Sequence, residues 1–375
     1  MQREYFGRGT IANLGDIIAT HGAKKLFIVA GKRSFVSCGA SEALARVCGS
    51  AGITIFDNFS VNPKLEEALE GIELINNSRP DLIIAIGGGS VIDMGKLVAR
   101  LSAQPTDDYA SVIKKSHLTH RGLPFVAVPT TSGTGTEATR YAVVYIDGIK
   151  YSLNHQFVLP DYSIIDPSFT YDMPPYQTAV SGMDALCQAV ESYWSFKATL
   201  KSRGLSGEAV DVILKNIKKA VVEDNVEARD AMARGSNLAG KAIDITETTA
   251  PHGISYTLTS RYTIPHGHAV ALILGRFFQI NASHIDSLPE ERMRANFGRT
   301  LAEIYTMFDC SDAATCEHRW FQLMKDLGLE TDLMKLGVAT EDDYRIITTS
   351  VNQRRLKNHP IPVTGAILSS LFSRS

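Results

Sequence analysis

A run of aliphatic residues, Leu82-Ile83-Ile84-Ala85-Ile86, meets three consecutive glycines, Gly87-Gly88-Gly89, and then Ser90-Val91-Ile92-Asp93. The run reads as a buried strand. Met94, Leu97 and Val98 then follow a helical spacing, with the helix N-cap expected at Ser90. A strand that turns on glycines into a helix is suited to holding phosphate. Glycine lets the backbone approach an anion closely, and the helix N-terminus offers unpaired N–H groups with partial positive charge. The same four residues also suit a tight turn between buried elements, so the rest of the chain has to decide.

Around this loop, strand and helix signals alternate. Leu26 to Ala30 is a strand ending at Gly31-Lys32-Arg33, followed by a helical stretch from Ser41 to Cys48. Ile53 to Phe56 is the next strand, and Pro63 to Asn76 the next helix, with Pro63 in its first turn. After the glycine loop, Phe125 to Val128 runs into Pro129-Thr130-Thr131-Ser132-Gly133-Thr134-Gly135-Thr136-Glu137. This order predicts a doubly wound, mostly parallel sheet, with the Gly31, Gly87 and Thr130 loops on one edge. Short strands are expected at Tyr141 to Ile146, Lys150 to Leu153 and Ser163 to Asp166. Beyond Pro174-Pro175 helical patterns dominate: Gln177 to Phe196, Gly204 to Val222, Val226 to Ala250 and more to the end. The reading is two domains: an α/β domain over residues 1–173 and an all-helical domain over residues 174–375.

Composition narrows the partners. A formal net charge of −2 over 375 residues leaves no footprint for nucleic acid or an anionic membrane surface. No apolar run has the length of a membrane span, and the N-terminus lacks the order of a signal peptide. Five cysteines without paired spacing fit reduced thiols, hence a cytoplasmic location.

In the helical half, Asp184 and Gln188 are four residues apart and share one helix face. His252 and His266 lie in two nearby segments, Ala250-Pro251-His252-Gly253 and Ile264-Pro265-His266-Gly267-His268. A carboxylate with two imidazoles can hold a divalent metal and leave room for a substrate oxygen. The same residue types also serve as hydrogen-bonded structural groups, and Asp184 also suits a cap or an ion pair.

Four motifs in order, Gly87 to Asp93, Pro129 to Glu137, Gly182-Met183-Asp184-Ala185-Leu186 and Pro265-His266-Gly267, resemble the iron-containing (group III) alcohol dehydrogenases. The resemblance runs from Phe6-Gly7-Arg8-Gly9 to Asn358-His359-Pro360. It implies a dinucleotide-binding α/β domain, a helical metal-binding domain and a homodimer. The implied activity is reversible hydride transfer between NAD(P)H and a small aldehyde or ketone. Asp184, His252 and His266 match three family metal ligands, for Fe2+ or Zn2+. The fourth family ligand is a histidine where this chain has Gln188, a neutral and weaker oxygen donor. A further family histidine is replaced by Tyr256, a phenol able to donate a proton to substrate. His266 and Tyr256 are thus the residues expected at the reacting atoms.

For the cofactor, the resemblance assigns phosphate cradling to Gly88, Gly89 and Ser90, hydrogen bonding to Thr130, Thr131 and Thr134, and the nicotinamide side to Asp93, which equally suits a first-turn aspartate stabilised by the helix dipole. Where NAD-preferring members carry an Asp for the ribose, this chain has Gly31, followed by Lys32 and Arg33. A lost carboxylate and two added cations favour the 2′-phosphate of NADPH, with NADH as the lesser cofactor. The stretches Asp184 to Ser195 and Pro265 to Phe278 resemble the phosphonoacetaldehyde reductase branch, which makes 2-hydroxyethylphosphonate. A dianionic substrate requires fixed cations, and Arg203 and Arg276 are the candidates, with Lys201 and Arg261 behind them. The alternatives are a general reductase of uncharged aldehydes and a lyase akin to dehydroquinate synthase. The lyase fits less well, because no cluster of lysines and arginines surrounds the metal motifs.

Overall fold

The computed structural model describes residues 2–351 and 353–371. The chain divides into two compact units, Met1–Met173 and Pro174–Ser375.

Among its described residues the first unit holds eight strands: β1 (Arg3–Phe6), β2 (Lys25–Ala30), β3 (Gly52–Phe56), β4 (Leu82–Gly87), β5 (Phe125–Pro129), β6 (Tyr141–Ile146), β7 (Ile149–Asn154) and β8 (Tyr162–Ile165). Its helices are α1 (Asn13–Thr20), α2 (Ser34–Ser37), α3 (Ala40–Val47), α4 (Leu65–Ser78), α5 (Gly89–Leu101) and α6 (Tyr109–Lys115). Six strands form a parallel sheet in the order β1-β8-β5-β4-β2-β3, and β6 and β7 make a separate antiparallel pair. Side chains alternate along each strand. Phe27, Val29, Ile83 and Ala85 therefore pack on one face with α4 and α5. Leu26, Ile28, Leu82 and Ile84 pack on the other face with α1 and α3. Burial on both faces is why β4 and β5 are unbroken apolar runs.

Strand order fixes where a ligand sits. The chain winds outward from β2 to β3, then returns to place β4 beside β2. The carboxyl ends of β2 and β4 flank that switch point, where open α/β sheets bind ligands. Ala30 is level with Ile86, and Gly87 with Pro129. The Gly31, Gly87 and Thr130 loops therefore share one edge, as the strand pattern predicts.

Three local expectations change. Gly88 is the N-cap of α5, and Ser90 lies inside its first turn. Pro63 precedes α4, whose N-cap is Lys64, boxed by the Glu67 carboxylate accepting from the Lys64 N–H. The expected single helix from Val226 to Ala250 is broken by Glu247, whose φ of 60° and ψ of 168° end it.

The second unit is helical: α7 (Pro175–Trp194), α8 (Leu200–Val222), α9 (Val226–Thr246), α10 (Ala250–Tyr262), α11 (His266–Ser283), α12 (Glu291–Met307), α13 (Ala313–Asp326), α14 (Glu341–Thr349), α15 (Gln353–Lys357) and α16 (Gly365–Ser370). α7 lies in the middle, with every residue from Thr178 to Trp194 buried. Such a helix has no face left for solvent, so each polar side chain on it must find a partner. Among the described residues, no helix is long and apolar enough to cross a membrane.

Candidate metal centre and cofactor loop

Asp184, Gln188 and Glu191 form one stripe on α7. All three are buried, Glu191 completely. Burying two carboxyl groups on one helix is costly unless they are paired, and α10 and α11 supply the partners. His252 lies in the first turn of α10, and His266 opens α11. His252 Nε2 is 3.6 Å from Asp184 Oδ1, and His266 Nε2 is 4.0 Å from the same oxygen. One ligand atom from each of the three residues falls within 4.8 Å of the others.

The unpaired atoms point the same way. Asp184 Oδ1, Gln188 Oε1 and His252 Nε2 are buried and have no hydrogen-bond partner among the described residues. Gln188 Nε2 donates to Asp184 Oδ2 at 3.2 Å. A carboxylate only accepts, so that bond sets which end of the amide meets Asp184 and leaves Oε1 as the open donor atom. Orphaned lone pairs on a carboxylate, an amide and an imidazole fit a divalent cation with mixed N/O ligands. The side chain of His266 is 33 % exposed, so this ligand set has an open side.

Charge at the site is tightly coupled. Burial works against protonation of His252, but Glu191 and Asp184 outweigh it and lift the imidazole to about 9. Burial likewise favours the neutral acid at Asp184, yet His252, His266 and Gln188 hold its carboxyl below the ordinary range. Metal and proton therefore compete for the same imidazole nitrogen. Tyr256, on α10, has its ring 6.0 Å from that of His266 and inclined by 29°.

Glu191 and its partner Thr249 are the residues that motif reading passed over. Glu191 Oε1 accepts from Thr249 N at 2.9 Å, Thr249 Oγ1 at 2.8 Å and His252 N at 3.3 Å. Glu191 Oε2 meets His252 Nδ1 in a short contact. The signal was the spacing of seven from Asp184 within a helix that has no polar face.

In the first unit the cofactor candidates divide. Thr130 Oγ1 and Ser132 Oγ are buried with no hydrogen-bond partner among the described residues. Thr130 N donates to Gly87 O at 3.0 Å, which ties the two loops together. A Cβ on Gly88 would stand 3.3 Å from Thr131 Cγ2, and one on Gly89 only 2.6 Å from Thr134 Cγ2. The glycines are therefore required by the threonine loop packed on them as well as by any anion. α5 starts there with no side-chain cap, which suits a phosphate group. Ser90 Oγ accepts from Asn62 N at 3.2 Å. Lys32 and Arg33 are exposed, and Lys32 Nζ donates to Asn58 Oδ1 at 2.9 Å.

Asp93 meets the threonine loop from α5. Its Oδ1 accepts from Thr136 Oγ1 at 2.6 Å and its Oδ2 from Val143 N at 3.0 Å. Fully buried Lys96 bonds the carbonyls of Thr136, Thr139 and Tyr141 at 2.7, 2.8 and 2.7 Å. This pair braces the threonine loop from behind, through Thr136.

Arg203 and Arg276 are both held in ion pairs. Arg203 bonds Thr300 Oγ1 at 2.9 Å, pairs with Glu303 at 3.7 Å and covers the Tyr193 ring. Arg276 pairs with Glu317 at 3.4 Å and lies over Phe321. At 1.5 Å per residue it is about 15 Å along α11 from His266. Both guanidinium groups bridge neighbouring helices, α8 to α12 and α11 to α13.

Comparison with known proteins agrees with the geometry. Residues 2–167 match the model of the iron-containing alcohol dehydrogenases, and residues 178–375 match that of the C-terminal region of the same family. The 1,3-propanediol dehydrogenase of Citrobacter freundii is 32% identical over 345 residues, 90% of this chain and 88% of its own. The lactaldehyde reductase of Escherichia coli strain K12 is 30% identical over 343 residues, 90% of this chain and 88% of its own. Among solved structures, the sulfoacetaldehyde reductase of Bifidobacterium kashiwanohense in complex with NAD+ matches with a TM-score of 0.87. It is 29% identical, with 99% of this chain and 96% of that chain covered. The chain belongs to the iron-containing alcohol dehydrogenase family and is a nicotinamide-dependent, metal-containing alcohol dehydrogenase.

Proposed function

We propose that this enzyme reduces phosphonoacetaldehyde to 2-hydroxyethylphosphonate with NADPH, using Fe2+ or Zn2+ held by Asp184, Gln188, His252 and His266. The observation that carries the metal reading is the set of orphaned, converging donor atoms on Asp184, Gln188 and His252. A bound divalent ion supplies Lewis-acid polarisation of a carbonyl oxygen, and the nicotinamide supplies hydride. The chain's own groups do the rest. Asp184 brings negative charge, His252 and His266 bring basic nitrogens, and Gln188 adds a neutral oxygen. Tyr256, beside His266, holds the proton that the product hydroxyl requires. A homodimer and a cytoplasmic location complete the proposal. β1 is an edge strand with one side open to a second copy.

The cofactor preference rests on the end of β2. A Gly31 Cβ would meet only the movable Ser34 Oγ (2.5 Å) and, at ordinary distance, Val91. Gly31→Asp is therefore sterically accessible after Ser34 rotates. A charge-assisted contact is worth roughly 1.5–3 kcal/mol. NADPH is thus expected to exceed NADH by at least about tenfold in kcat/KM, and Gly31→Asp to shift the preference toward NADH. Equal efficiency with both cofactors in the unmodified enzyme removes this reading.

The substrate rests on the stretches Asp184 to Ser195 and Pro265 to Phe278, and on the likeness to a reductase of sulfoacetaldehyde, another two-carbon aldehyde with an anionic head. Phosphonoacetaldehyde is expected to exceed propanal by at least about tenfold in kcat/KM, the worth of one charged contact. Arg203→Ala and Arg276→Ala should leave that ratio unchanged, given their partners. The second reading is an uncharged aldehyde, favoured by the likeness to 1,3-propanediol dehydrogenase and lactaldehyde reductase. Equal efficiency on propanal selects it.

A further inference from the structure

We propose that Glu191 is a positioning residue for the metal centre, selecting the ring tautomer of His252 that can bind a cation. The inference rests on the reading of Asp184, His252 and His266 as metal ligands.

Four donors converge on this one carboxylate. Oε1 takes Thr249 N, Thr249 Oγ1 and His252 N, and Oε2 takes His252 Nδ1. Thr249 is the N-cap of α10, yet its side chain does not cap that helix. Glu191 does so from α7, satisfying the N–H of His252 that an N-cap side chain would normally serve. Trp194 Nε1 donates to Thr249 Oγ1 at 3.0 Å and holds the threonine in place. The carboxylate thus sets both the position of the first turn of α10 and the orientation of its imidazole.

The tautomer follows from donor and acceptor counting. A carboxylate cannot donate, so a neutral His252 keeps its hydrogen on Nδ1 and turns a bare Nε2 toward Asp184 Oδ1. That lone pair is the one a metal needs. Carboxylate–histidine pairs behind a metal ligand act in this way, and their loss typically costs about 10–100-fold in metal affinity.

Glu191→Gln separates this role from simple packing. Its single oxygen is best used on the three donors around Thr249 and His252 N. Its NH2 group then faces His252 Nδ1, forces the hydrogen onto Nε2 and points it at the cation. Glu191→Gln should therefore fold, with α10 in place, but bind Zn2+ about 10–100-fold more weakly by chelator competition. Its Co2+ form should show an altered visible spectrum. Thr249→Val removes the hydroxyl that both Glu191 and Trp194 use, but keeps the Nδ1 contact. It should lower the melting temperature while leaving Zn2+ affinity within about threefold.

Two results overturn the inference. One is unmodified Zn2+ affinity and Co2+ spectrum in folded Glu191→Gln. The other is a loss of affinity in Thr249→Val as large as in Glu191→Gln, which would reduce Glu191 to a helix anchor. His266→Ala keeps the two questions apart. If it retains the metal, the ligand reading fails; if it loses the metal while Glu191→Gln binds normally, only the role of Glu191 fails.

Discussion

His266→Ala is expected to remove bound metal and to lower kcat/KM for aldehyde reduction by about a thousandfold or more. Lewis-acid polarisation by a bound ion would lower the barrier by several kcal/mol, and about 4 kcal/mol corresponds to that factor. This variant is the cleaner of the two histidine changes. The His266 side chain is a third exposed, so its removal opens no sealed cavity. His252→Ala should also abolish activity and metal binding, but it leaves Glu191 buried without its imidazole partner. Breaking a buried pair from one side costs about 3–5 kcal/mol. His252→Ala is therefore expected to lose several degrees of melting temperature that His266→Ala keeps. Gln188→Ala should be milder in both respects, removing one neutral oxygen and one hydrogen bond to Asp184. Metal content, melting temperature and kcat/KM on the three variants check this ranking. Full activity of rigorously metal-free His266→Ala would show that the cluster has no Lewis-acid role.

Much of this arrangement is readable from the chain. β4 and β5 announce themselves because a parallel strand covered on both faces must be apolar throughout. Asp184, His252 and His266 stand out because each sits in a motif, Gly182 to Leu186, Ala250 to Gly253 and Pro265 to Gly267, and together they make a metal-binding combination of side chains. Glu191 is as buried as any of them, but its role depends on α10 lying alongside α7, a non-local fact. The break at Glu247 is hidden for a similar reason. Periodicity runs on through Val226 to Ala250, while Glu247 turns out of the helix and its carboxylate pairs with Lys197 and Arg355, far away in sequence. For Arg203 and Arg276, composition gives a charge but not the direction it faces. Glu303 and Glu317 had already claimed them. Asp93 lies at the expected loop, but as a brace beneath it, since the chain does not reveal that Thr136 folds back over α5.

Gly267→Ala is expected to damage the metal centre without touching a ligand atom. Gly267 is the second residue of α11, directly after His266. A Cβ there would stand 2.1 Å from the carbonyl oxygen of Val180, 2.8 Å from Asp184 Cβ and 3.1 Å from Asp184 N. The first and last of these atoms are backbone of a buried helix and cannot swing aside as a side-chain tip does. The start of α11 can approach α7 this closely only because Gly267 has no side chain, and that approach brings His266 to Asp184. The added methyl group would therefore have to push α11 outward by about 1 Å, on the scale of ordinary van der Waals contact. The separation of His266 from Asp184 would grow accordingly, and metal geometry tolerates only about 0.2 Å. Overpacking of this kind costs roughly 1–3 kcal/mol in stability. Metal affinity is expected to fall at least about tenfold, in the range seen when ligand orientation is lost. Gly204→Ala is the matched control. Gly204 lies on an exposed part of α8 where a Cβ meets nothing within 4 Å, and the change should stabilise the protein by about 0.4–1 kcal/mol. Thermal unfolding and chelator competition on both variants decide the matter. If Gly267→Ala matches the unmodified enzyme in melting temperature and Zn2+ affinity, the contact between α7 and α11 is looser than drawn, and the metal ligands are not set by it.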